Sequence, residues 1–458
     1  MVEIKKLWKI SLNIILAISA IVIYTGSKDA NFIFLSLSAL SLIEFALFLY
    51  MNPLGITSPY SLFTIVLFIY NCGQIWLNLF GIPIIPGNYT ITRYSDELLC
   101  ESLLFFVFIT IIANIFYIIT VRTDNKTDQK GEPSYNKSGN RAYRWFFIIL
   151  FVCLLYDYLQ WRTARSQGYA AALYSRSDSE ILYMVNCILP FVSFFCLQSD
   201  LNNRKKIVVA IISALRYMLT AILIGYRMQA ISYVLSLIVL LPYLAEKTKR
   251  RKYALVMVFA LVAASYLSIV AANLRRGTVA ADLWGSYNSF IQELGGTFTD
   301  LPIIIRDIDI IGPAYGLSYI CGLLYIIPFI GRVFPGLSKY INLSSILFTR
   351  ITIYGDSSLG GSMLAEYFYN FKWLSVVIAA PILGVILGKI TNSINGKNDA
   401  FNSSMLAYIF FILLLHARGN VGEITIYIRC AVYLYIAYKF LINRRRANNY
   451  IWQSMEKR

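Results

Sequence analysis

The chain has 458 residues, 58% of them hydrophobic, 15% aromatic and only 14% charged, with a mean hydropathy of +0.62. So little charge cannot cover the surface of a soluble fold this large, which excludes one. The formal net charge of +17 would suit a nucleic-acid partner, but the cations sit in short loops between apolar runs and in a basic tail. Membrane topology accounts for that placement, and no nucleic acid is expected.

Apolar runs of about 20 residues predict an all-α polytopic membrane protein; a β-barrel would show shorter, alternating segments. Lys5-Lys6 precedes an apolar run over 10–24 that imitates a signal peptide, but no small-residue cleavage site follows, so it is expected to stay as the first span. About twelve transmembrane helices are predicted, near 9–25, 32–50, 59–80, 98–120, 145–161, 180–198, 207–224, 228–244, 253–273, 372–391, 402–416 and 425–442. The chain thus divides into nine spans over 1–273, one large external loop at 274–371, and three spans with a basic tail over 372–458. With both termini cytoplasmic, the basic segments at 122–144, 204–206, 247–252, 389–397 and 444–446 all fall inside, as the positive-inside bias requires. The polar stretch 122–144 reads as a linker, and no internal repeat of the kind found in secondary transporters is present. Seven cysteines (Cys72, Cys100, Cys153, Cys187, Cys196, Cys321 and Cys430) lie mainly in spans without CxxC spacing, and read as small buried residues. Inside the large loop, 314–330 is apolar but broken by Gly316, Gly322 and Pro328. A full span there would carry the basic C-terminus outside, so it reads as a re-entrant or interfacial segment.

This topology leaves eleven Arg and three Lys on the outer side: Arg93, Arg162, Arg165, Arg176, Arg227, Arg275, Arg276, Arg306, Arg332, Arg350 and Arg418, with Lys28, Lys339 and Lys372. Topology selects against cations there. A guanidinium is a planar fork of donors that suits phosphate and stays charged at physiological pH, so a phosphorylated anion is expected at the outer face. Several charges fall within spans. Asp157 and Arg429 sit at matching depth and are expected to pair. Arg216 is near mid-span, where an unpaired charge costs about 2.5 kcal/mol or more, and should face inward, towards Glu44.

Four places resemble the O-antigen polymerase (Wzy) family and its enterobacterial common antigen relatives: Gly225-Tyr226-Arg227 at the opening of a span; Arg275-Arg276 after one; the loop from Phe329 to Gly336 followed by Gly360-Gly361 and 364–370; and Ala417-Arg418-Gly419 at the outer end of a late span. The resemblance implies an inverting glycosyl transfer on the periplasmic face of the bacterial inner membrane. The growing glycan would leave undecaprenyl diphosphate for the non-reducing end of a new lipid-linked repeat unit. The expected partners are undecaprenyl-diphosphate-linked oligosaccharides, membrane lipids and a chain-length regulator protein; no cofactor or metal is expected.

On this reading Arg227, Arg275, Arg276, Arg350 and Arg418 bind the diphosphate, Arg350 and Gly361 also fitting an Arg-x10-Gly spacing. Arg162, Arg165 and Arg176 form a second substrate loop, or a solvated surface. Glu366, then Asp356, would take the acceptor proton, or else bridge to a loop arginine. His416, the single histidine, reads as an interfacial polar residue. Asp307-Ile-Asp309 matches a DxD pattern too short to imply a metal. A lipid-linked oligosaccharide flippase and an O-antigen ligase are the alternatives. The first would not need the large loop, and the second would be expected to hold a histidine in it.

Overall fold

A computed structural model describes residues 2–52, 54–85, 90–122, 139–167, 180–244, 247–275, 283–327, 329–337, 361–394 and 399–456. Among these residues the fold is helical, with no strand. In chain order the helices are α1 (Val2–Gly26), α2 (Ala30–Met51), α3 (Pro59–Leu79), α4 (Asp96–Thr120), α5 (Gly139–Gln167), α6 (Glu180–Gln198), α7 (Asn203–Leu223), α8 (Arg227–Leu244), α9 (Lys247–Arg275), α10 (Leu283–Gly295), α11 (Asp300–Ile311), α12 (Leu317–Leu324), α13 (Met363–Phe371), α14 (Ser375–Ile394), α15 (Ala400–His416) and α16 (Val421–Glu456). Their starts follow local chemistry. Asp29 caps α2 by accepting from the Asn31 and Phe32 amides, Ser58 precedes Pro59 at the first position of α3, and Ser95 and Asp399 cap α4 and α15.

Among the described residues, nine helices are long and apolar enough to cross a membrane. Each of the twelve predicted spans lies on a helix. However, Arg227–Leu241 and Ala400–His416 are shorter apolar helices, and 253–273 falls inside α9. Large apolar residues such as Ile14, Ile18, Phe151, Leu155, Leu219, Phe259, Val377 and Ile382 face outward. Polar side chains turn inward instead: Tyr60 donates to Asn114 (2.6 Å), Asn114 to Asn13 (3.0 Å) and Tyr117 to Asn52 (3.1 Å). That is the arrangement a lipid solvent favours.

Two apolar clusters form the interior. One gathers α1–α4 and α14 with residues of α11 and α13; the other gathers α5–α7 and α16; α8 and α15 contribute to both. In the first, α14 lies so close to α4 that a Cβ on Gly384 would stand 2.1 Å from the Ala113 carbonyl oxygen, and one on Gly388 2.7 Å from Thr120. Small residues four apart allow this approach. Gly384→Ala should therefore force the helices apart and cost about 1–3 kcal/mol, seen as a lower thermal midpoint of the purified protein. Gly26→Ala, which meets nothing within 4 Å, serves as the neutral control, and equal midpoints for the two variants would contradict the close packing.

The second cluster holds the buried ion pair, and its partners differ from the expected ones. Arg216 forks onto Asp157, with Nε to Oδ2 and Nη2 to Oδ1 both at 2.7 Å, and also reaches Asn186. Arg429 instead donates to the Tyr325 carbonyl, and Glu44, in the other cluster, accepts from Thr110 at 2.5 Å. Asp157 thus pairs with Arg216 and not with Arg429. Arg216 does face inward, but not towards Glu44.

The helices of 283–371 pack over one end of the bundle. Arg122 and Lys205 lie at the opposite end, where the Arg122 N–H bonds Asn392 and Lys205 bonds Asn140. Helix α12 runs down α16. A Cβ on Gly322 would touch Val421, Arg429 holds the Tyr325 carbonyl, and the Tyr433 hydroxyl donates to the Ile326 carbonyl at 2.7 Å. At 1.5 Å per residue, Arg429 and Tyr433 lie about 12 and 18 Å along the helix from Val421.

Candidate functional site

Arg227 and Arg418 are far apart in sequence and meet around one tyrosine. Gly225, at φ +98°, makes the turn between α7 and α8 that a side chain would resist, and Arg227 opens α8 at its N-terminus. Its neighbour Met228 accepts from the Tyr70 hydroxyl at 2.8 Å. Arg418 lies in the tight turn between α15 and α16, its guanidinium 5.8 Å from the Tyr70 ring centroid.

Arg227 is 8% exposed. Its Nη1 lies 2.5 Å from Glu293 Oε2, on α10. The pair is close but poorly aligned, so that neither Nε nor Nη1 makes a hydrogen bond of good geometry. Buried donors left in that state are costly, about 1–3 kcal/mol each, unless a ligand satisfies them. The N-terminus of α8 adds a positive helix end at the same place.

Glu366 lies in α13 and is fully buried. Its Oε1 accepts from the Ser318 hydroxyl at 2.7 Å, and its Oε2 accepts from the Val421 N–H at 2.8 Å. Asn370 donates to Ser318 Oγ (2.7 Å) and to the Glu366 carbonyl (2.8 Å). One carboxylate thus ties α12 to the start of α16, directly after the turn that presents Arg418.

Asp300, which the sequence did not single out, is also buried, with Oδ2 lacking a hydrogen-bond partner. Desolvation pushes its carboxyl well above the ordinary carboxylate range and Glu423 adds to this, while Arg418 and the Gly361 N–H oppose it. In sequence, Asp300 reads as an ordinary acidic residue at the start of a helix. Only the fold brings Arg418 to it.

The other candidates are placed apart or lie outside the described residues. Arg162 and Arg165 are exposed on the last turns of α5, Arg165 over Trp161. That helix end is linked to the Arg227 turn by Tyr226, whose hydroxyl donates to Gln160 at 3.1 Å. Arg275 ends α9. Arg176, Arg276, Arg350 and Asp356 lie outside the described residues. Asp307 is buried and forked by Arg306 at 2.9 and 3.2 Å, while Asp309 is exposed and pairs with Lys372 at 2.8 Å. The DxD pair is thus split between two partners. His416 is buried at the end of α15, with the Tyr367 ring 6.4 Å away.

Compared with known families, residues 9–445 match the model of the O-antigen polysaccharide polymerase Wzy family. No curated protein and no solved structure matches the chain.

Proposed function

Since the chain belongs to the O-antigen polysaccharide polymerase Wzy family, we propose that Arg227 and Arg418 hold the diphosphate of the lipid-linked donor while a glycan is transferred from it. Polymerisation of lipid-linked repeat units follows from the family, which gives no support to the flippase or ligase readings. The finer assignments are our own. The observation that carries them is the buried, under-satisfied guanidinium of Arg227 facing Glu293, with Arg418 beside the same tyrosine.

As the bond from the donor sugar to phosphate breaks, charge builds on the leaving diphosphate, and preorganised donors in a water-poor site lower its energy. Attack by the acceptor hydroxyl from the opposite face inverts the sugar carbon. Arg275, Arg276 and Arg350 extend the diphosphate site on this reading, and Arg162, Arg165 and Arg176 receive the second lipid-linked unit near the end of α5.

Residues 274–371 face the periplasm and both termini the cytoplasm, which agrees with Arg122 and Lys205 lying at the far end. All twelve predicted spans cross the inner membrane. Helix α12 is re-entrant, as its contacts down α16 support; Ile320, Leu323 and Phe329 remain apolar and exposed there. A chain-length regulator is the expected protein partner.

For the acceptor proton, Asp356 and Glu366 were the sequence candidates. The two internal hydrogen bonds and complete burial of Glu366 favour a different role, that of anchoring the Arg418 turn. Deleting the gene and resolving the lipopolysaccharide on gels tests the function. Loss of the ladder with a single capped repeat unit remaining is the expected result. Free polymer on the carrier lipid would mean ligase instead, and complete absence of surface repeats would mean flippase.

A further inference from the structure

The proton acceptor needs a carboxylate that touches the diphosphate site and is open to the acceptor, and Glu293 meets both demands. Its side chain is 48% exposed, yet it contacts the buried Arg227 at 2.5 Å. Its backbone is held firmly. The neighbouring Gln292 accepts the Ile85 N–H at 3.1 Å and donates to the Ile85 carbonyl, and its own carbonyl accepts from Gln74 at 2.7 Å. Two residues on, Gly295 packs against α3 so tightly that a Cβ there would stand 2.5 Å from the Gln74 nitrogen. Helix α10 thus presents Glu293 from a fixed frame, with half of its side chain open to solvent. Two other carboxylates are less suited: Glu366 has both oxygens bonded within the protein, and Asp300 is buried.

We propose that Glu293 exchanges partners during the reaction, serving as counter-ion to Arg227 in the empty site and accepting the acceptor proton once the donor diphosphate has displaced it. The inference rests on the assignment of Arg227 to the diphosphate. In the step itself, the acceptor oxygen forms a bond to the anomeric carbon of the donor sugar. The bond from that carbon to the phosphate oxygen breaks, and its electron pair leaves with undecaprenyl diphosphate. The hydroxyl proton passes to a Glu293 carboxylate oxygen and from there to water.

The experiment uses the full-length protein in nanodiscs, with two readouts: equilibrium binding of undecaprenyl diphosphate, and polymerisation of lipid-linked repeat units at saturating substrate. Glu293→Gln keeps the shape but neither competes as an anion for Arg227 nor accepts a proton. It should bind undecaprenyl diphosphate at least as tightly as the wild type while its turnover falls by about 10²–10⁴. Glu293→Asp, which keeps the carboxylate, should recover part of the turnover. Near-normal turnover of Glu293→Gln overturns the proposal, as does weakened binding with unchanged turnover. Failure of the underlying assignment shows separately, as wild-type binding of undecaprenyl diphosphate by Arg227→Ala.

Discussion

Arg227→Ala and Arg418→Ala are each expected to abolish the polymer ladder in cells that contain normal amounts of the protein. A donor aimed at charge that develops in the transition state is worth about 10²–10³ in turnover when removed from a preorganised site. Each alanine also removes a charge that would offset the diphosphate in surroundings of low dielectric. Arg227→Lys and Arg418→Lys retain the charge but lose the planar fork, so they should stay impaired, with short products at best. Arg332, which lies over the Phe329 ring beyond the end of α12, supplies the control, and Arg332→Ala should polymerise normally. Full ladders from both Arg227→Ala and Arg418→Ala would remove the arginines from the site.

The second large effect concerns Glu366. Glu366→Ala leaves the Val421 N–H and the Ser318 hydroxyl buried without their acceptors, at about 1–3 kcal/mol for each group. The expected result is a thermal midpoint lower by several degrees, together with loss of polymer because the Arg418 turn loses its tether. Glu366→Gln can satisfy Val421 with its carbonyl. Its amide then faces Ser318, whose oxygen already accepts from Asn370. It should therefore be intermediate in stability and in activity, with the two readouts falling together. A Glu366→Gln protein of wild-type stability with turnover reduced by about 10²–10⁴ would instead make Glu366 the base.

The helical membrane architecture was legible because the length of an apolar run is a direct consequence of the bilayer's thickness. The break at 314–330 was legible too, since Gly and Pro announce it. Pairing inside the membrane was not. Asp157, Arg216, Arg429 and Glu44 can be ranked by depth from the sequence, but depth does not say which helices are neighbours, and α7 proved to lie beside α5. The site shows the same limit. Arg227 and Arg418 stood out as cations on the outer side, whereas Glu293 looked like one acidic residue among many in a long loop. What distinguishes it is the docking of α10 on α3 through Gln74, Gln292 and Gly295, and no local pattern records that. Glu366 was noticed for its position, but its partners Ser318 and Val421 come from segments on either side of it in the chain, so its commitment to them was invisible.

Purified protein supplied with undecaprenyl-diphosphate-linked repeat units, and nothing else, tests the central claim most directly. Products are resolved by length and undecaprenyl diphosphate release is counted. The account predicts lipid-linked chains of two and more repeats, with one undecaprenyl diphosphate released per linkage, and loss of both signals in Arg227→Ala and Arg418→Ala. Chain growth that is undiminished when both arginines are replaced, or release of undecaprenyl diphosphate without chain growth, would contradict it.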